Sequence, residues 1–155
     1  MKVASFKFIV ALTLGISLIS TNLFAQKKID KLDEDETSIR AYLDKGKHDE
    51  IEGIYKNTTG QFYKIAIKKY DYYYVAIVLD SYDKTKWKTG MVKAYFEESA
   101  EEGTYATTWL MGDKSRKETI AQLEDGVILK FVLPLGEFGE RTTVKFLKLY
   151  PKNKN

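Results

Sequence analysis

Apolar residues in this chain follow two different patterns. Residues 8–24 form an uncharged run whose strongly apolar part covers 8–19, whereas beyond Ile51 the apolar residues come in short segments cut by turn residues at fairly even intervals. The second pattern signals antiparallel β structure. It predicts eight strands, near 51–56, 61–69, 72–80, 87–97, 104–111, 117–124, 127–133 and 141–150. Between the two patterns, Ile39, Tyr42 and Leu43 recur at helical spacing, with acidic residues before them, basic ones toward the end and Gly46 as a stop. One short amphipathic helix is expected over 36–45. Residues 26–35 are mostly charged and read as a flexible lead-in, and 46–50 link the helix to the first strand.

Alternation gives several strands a buried face: Tyr63, Ile65 and Ile67; Tyr73, Val75, Ile77 and Leu79; Tyr105, Thr107, Trp109 and Met111; Val127, Leu129, Phe131 and Leu133. The opposite faces mix Lys64, Lys68, Thr108 and Lys130 with Ala66, Ala76, Val78 and Val132, so both faces of the central strands are expected to be partly covered, one of them by the helix. Asp125-Gly126 is the strongest hairpin signal, because a type I′ turn needs positive φ at both central residues. Short connections favour an all-β up-and-down meander. Closing it into a small lipocalin-like barrel would remove exposed edges, with an open sandwich as the alternative. Eight strands enclose a space that either fills with side chains or holds one small ligand. A filled interior is the primary expectation.

The first uncharged run changes the picture of where the molecule works. Lys2 and Lys7 precede it, Gly15, Ser17, Ser20, Thr21 and Asn22 crowd its second half, and Ala25 stands before Gln26. This is the layout of a secretory signal peptide over 1–25, cleaved between Ala25 and Gln26, rather than of a membrane anchor. The product would be exported to the periplasm or the extracellular space. It would comprise the lead-in and helix (26–50), a β domain (51–151) and a polar tail (152–155), without a stable membrane anchor. Of 25 basic residues Lys2 and Lys7 lie in the leader and all 22 acidic ones beyond it, so the formal charge falls from +3 to +1 on cleavage. With three arginines, Arg40, Arg116 and Arg141, no clustered basic face for nucleic acid emerges. The absence of cysteine removes disulfides, thiolate metal sites and lipid attachment, leaving burial and hydrogen bonding to hold the fold.

Candidate chemistry is sparse. His48, the single histidine, sits in a polar linker, and no G-x-S-x-G string accompanies Ser38, Ser81, Ser99 or Ser115. Glu97, Glu98, Glu101 and Glu102 surround one turn and read as a solvated loop. Asp33, Asp35 and Thr37 imitate the start of a calcium loop without its glycine. Asn57-Thr58-Thr59 matches a glycosylation sequon but has turn chemistry of its own. No catalytic residue, metal or cofactor is expected. Eleven tyrosines, including the Y-D-Y-Y-Y run at 70–74, argue first for strands and second for a binding face.

From Ile51-Glu52-Gly53-Ile54-Tyr55 the chain resembles a β module of exported bacterial proteins that often stands ahead of trypsin-like serine peptidase domains. The likeness continues through residues 87–96, Trp109-Leu110-Met111-Gly112 and residues 146–151. The resemblance implies a freestanding accessory module, since the chain ends at Asn155, and it implies no catalytic residue. The function expected is that of a non-catalytic exported module binding a protein, peptide or surface polymer through a rim of Trp87, Tyr72, Tyr74 and Tyr82. The alternative is a carrier of a small apolar ligand inside the barrel, lined by Tyr63, Tyr73, Trp109 and Phe131.

Overall fold

The computed structural model describes residues 28–134 and 140–152. The expected leader, its expected Ala25–Gln26 boundary and most of the turn expected after Pro134 lie outside the described residues, as do residues 153–155. Helix α1 (Glu36–Leu43) is followed by β1 (Gly53–Asn57), β2 (Tyr63–Tyr70), β3 (Tyr73–Ser81), β4 (Val92–Glu98), β5 (Thr104–Leu110), β6 (Arg116–Glu124), β7 (Ile128–Pro134) and β8 (Arg141–Tyr150). Each strand pairs antiparallel with the next. β8 returns to β1 with Tyr55 opposite Lys148 and Asn57 opposite Phe146, so the meander closes into a barrel.

Local chemistry fixes the boundaries. Asp35 caps α1 by accepting a 2.8 Å bond from Ser38 N, while Ser38 Oγ accepts from Asp35 N. At Asp125 and Gly126 φ is +50° and +67°, the pair of positive values the hairpin between β6 and β7 requires. β4 starts five residues later than the alternation suggests. Trp87 to Met91 belong to the loop after β3, where Gly90 takes a φ of +84° and faces the Leu32 carbonyl so closely that a Cβ would collide with it.

Two apolar clusters share the barrel wall. The inner one gathers Tyr55, Ile67, Tyr74, Phe96, Trp109, Phe131 and Phe146 inside the barrel. The outer one places Ile39 and Leu43 of α1 against Ile54, Tyr73, Val75, Ile77 and Tyr95. Burial on both faces of β3 therefore has a cause, since the barrel fills one side and α1 covers the other. The lead-in is not a free tail from Lys28 onward. Leu32 N donates to Gly90 O (2.9 Å), Val92 N to Asp30 O (3.0 Å) and Tyr95 Oη to Ile29 O (2.9 Å), and Lys28 and Lys68 pair with Glu97 and Glu34 at 2.6 Å each. Two of its charges, on Lys28 and Glu34, thus meet partners on the strands, while Lys31 and Asp33 stay exposed.

Candidate functional site

Side chains fill the barrel unevenly from one end to the other. At the end where β1 begins, residues 49–52 cross the opening as a strap. Ile51 enters the inner cluster and its carbonyl accepts from Tyr55 Oη at 2.8 Å. Glu52, 1% exposed, accepts from Tyr42 Oη, Asp49 N and Lys69 N, each at 2.7 Å. The Tyr74 hydroxyl lies 2.8 Å from an Asp49 oxygen and 2.6 Å from a Glu98 oxygen and donates its one proton to either. Burial, together with those carboxylates, pushes its pKa upward. Gly126 lies directly against the Glu50 carboxylate, so the strap rests on the hairpin. This end is sealed.

The other end is bounded by the loops after β1, β3 and β5 and holds a cavity of about 350 Å³. Trp109 and Phe146 line it from inside, with Phe131 packed behind them at ring distances of 4.8 and 6.1 Å. Leu133, Val144 and Met111 add apolar wall, and Tyr63 and Tyr82 form one lip with rings 5.7 Å apart, edge to face. The middle of the barrel is thus filled as expected, and the space above the Trp109 layer is not. A volume of this size falls at the small end of the range for small-molecule sites, roughly 300–1,000 Å³.

Two charged side chains line this space, the exposed Lys86 and the buried Lys93. Ala94 pairs with Ala76 and Val92 with Ile77, so Lys93 is the extra residue of a β-bulge. Val92 packs in the outer cluster and Ala94 in the inner one, and the bulge aims Lys93 to the cavity. Lys93 is 2% exposed. Its Nζ donates to Leu110 O at 2.6 Å and lies 3.8, 4.8 and 4.9 Å from the ring centres of Trp87, Tyr63 and Trp109. Burial, helped by the charge of Lys114, lowers its pKa to about 7. The sequence reading missed this residue. Strict alternation puts Lys93 on a face with Met91 and Tyr95, and a bulge leaves no mark in the pattern.

The expected rim does not form. Trp87 and Tyr74 are buried, at 2% and 1% exposure, Trp87 turned from the loop before β4 into the outer cluster and Tyr74 inside the sealed end. Tyr72 and Tyr82 are exposed but stand at opposite ends of the barrel, in the turn after β2 and the loop after β3. An aromatic binding patch built of all four is corrected accordingly. Of the expected interior set, Trp109 and Phe131 are inside and Tyr63 is at the open mouth. Tyr73 faces outward, with its ring 6.1 Å from Tyr95 and Lys28 over it.

The other residues weighed from sequence have local roles. His48 lies on the linker with Nδ1 3.4 Å from Asp49 O. Asp35 is the helix cap. Asn57 is buried and its side chain is engaged in the turn, donating to Thr59 O and accepting from Tyr63 N, both at 2.7 Å. Glu98, Glu101 and Glu102 line a polar cleft of about 320 Å³ outside the strap, and among the described residues no group of three or more His, Asp or Glu is arranged to hold a metal.

Geometry thus defines a class: a closed eight-stranded meander barrel with one end strapped shut and an apolar cavity at the other. No protein-family model, curated protein or solved structure matches the chain.

Proposed function

We propose that this protein binds one small, largely apolar molecule at the open end of its barrel, as an exported carrier. The observation that carries the reading is the cavity above Trp109 and Phe146, which has aromatic and aliphatic walls and a mouth formed by loops, while the opposite end is closed by its own chain. Concave, mostly apolar sites with few polar groups are the usual form of small-molecule sites. Export is supported by the leader over 1–25, read from its composition. Docking of a protein or polymer through a common aromatic rim loses its basis, because the four side chains do not share a surface.

Native mass spectrometry of the protein purified from its own compartment tests this. One small molecule per chain, on a chain that begins at Gln26, is the expected result. A bare chain that also fails to take up added apolar probes would overturn the carrier reading, and a chain retaining Met1 would overturn export by cleavage.

A further inference from the structure

Lys93 is a buried amine that no carboxylate of the described residues faces. An ammonium has three protons to place, and the hydrogen bond that Lys93 makes goes to the Leu110 carbonyl. The surrounding rings of Trp87, Tyr63 and Trp109 attract a cation by their faces but do not neutralise it. Among the described residues no carboxylate lies within ion-pair distance of it, and no Asp or Glu lines the cavity.

Two further lysines stand at the same mouth. Lys86 is in the cavity wall with Asp83 3.6 Å away, and Lys114 Nζ sits 3.3 Å from the Trp87 ring centre and 3.1 Å from Lys86 O. An unpaired charge in a low-dielectric site is costly, and a partner delivered from outside relieves that cost.

Resting on the carrier reading, we infer that the molecule held at the open end bears a carboxylate, which pairs with Lys93 at the cavity wall while its apolar body lies on Trp109 and Phe146. Binding is then linked to protonation. Lys93 holds its proton below about pH 7 and loses it above, whereas the carboxylate binds the protonated form, so acid binding weakens as the pH rises from about 7. The other groups facing Lys93 are Lys114, lowered by burial and acting in the same sense, Tyr63, pushed up to about 12, Tyr82, and Lys86 with Asp83. Tyr63 titrates outside the window.

Octanoate and octan-1-ol, which differ in the head group, separate the acid claim from the carrier claim. The chain's two tryptophans, Trp87 and Trp109, both touch Lys93, so their fluorescence reads the site directly. At pH 6.5 octanoate should bind about tenfold or more tighter than octan-1-ol. That advantage should shrink toward pH 9 and vanish in Lys93→Met, read as the ratio of the acid and alcohol affinities within the variant. If Lys93→Met fails to fold, calorimetry of the unmodified protein serves instead: by linkage with a tenfold or larger preference, octanoate binding at pH 8 should take up about 0.4 proton or more, and octan-1-ol binding none. Equal binding of acid and alcohol with no proton uptake overturns the carboxylate and leaves the carrier. Failure of both probes, with no molecule retained by the native protein, overturns the carrier and the inference with it.

Discussion

At the sealed end of the barrel the buried carboxylate of Glu52 is met by donors of the chain, whereas at the open end the buried ammonium of Lys93 meets, among the described residues, a carbonyl but no carboxylate. Glu52 collects three donors from α1, the strap and β2, and the Tyr74 hydroxyl is placed between Asp49 and Glu98. Lys93 instead has a carbonyl, three aromatic rings and a neighbouring lysine. Both ends belong to one closed ladder of strands, so the difference does not come from the sheet. It comes from what the loops bring across each opening. The sealed end is crossed by Ile51 on a strap tied down on both sides, while at the open end the described loops carry Tyr82, Lys86 and Met111 around a space rather than across it. Satisfied polar groups make an end structural.

The contrast breaks most visibly at Ile51. Ile51→Ala should cost about 2–5 kcal/mol, because the residue is fully buried in the inner cluster. Urea unfolding monitored by circular dichroism measures it, and a loss below about 1 kcal/mol would mean that the strap does not hold that end shut.

Next in size is the pH dependence of the ligand-free protein. Lys93 titrates at about 7 when folded and at the ordinary 10.5 when unfolded. Between those values the unfolded chain binds the extra proton, so stability rises with pH, by at most about 1.4 kcal/mol per unit, and the full penalty is present below pH 7. Lys114 and Lys148, both lowered by burial, add to the rise. Above about pH 10 the sign reverses. Tyr63 and Tyr105 are pushed up to about 12 by burial, so unfolded phenols ionise first and the unfolded state gains. Stability should peak between these regimes. In Lys93→Met the rise from pH 7 should flatten and the protein should be as stable as the parent or more so at neutral pH, since an apolar chain replaces an unpaired cation. Thermal melts across pH 6–10 read both; an unchanged slope in the variant would show that the charge of Lys93 is not what the rise reports.

The smallest effects on stability belong to the two exposed tyrosines. Tyr72→Ala and Tyr82→Ala should each change stability by no more than about 0.5 kcal/mol. Only Tyr82, at the lip of the cavity, should weaken uptake of an apolar probe. Equal weakening by both substitutions would return the site to the outer surface.

Much of this was legible in the chain. In β5 and β7 the alternating residues Tyr105, Trp109, Leu129, Phe131 and Leu133 point inward as read, and the helix, the eight strands and their meander order are as the pattern states. In β3 the pattern Tyr73, Val75, Ile77 and Leu79 correctly marks a buried face but not which side of the wall it occupies. Period-two burial cannot tell a barrel interior from a wall covered by a helix, because both are dry. The site residue itself lay beyond reach for a different reason. Only pairing across strands reveals that Lys93 is the surplus residue between Val92 and Ala94, and that offset turns a lysine that would have faced outward into the charge at the cavity wall.

Amide shift mapping by nuclear magnetic resonance during an octanoate titration at pH 6.5 tests the contrast of the two ends most directly. The account predicts shifts around Gly60, Lys93, Trp109 and Gly112 at the open end, with Glu50, Gly103 and Gly126 at the sealed end unmoved. Shifts confined to the sealed end or to the outer wall over α1 would contradict it.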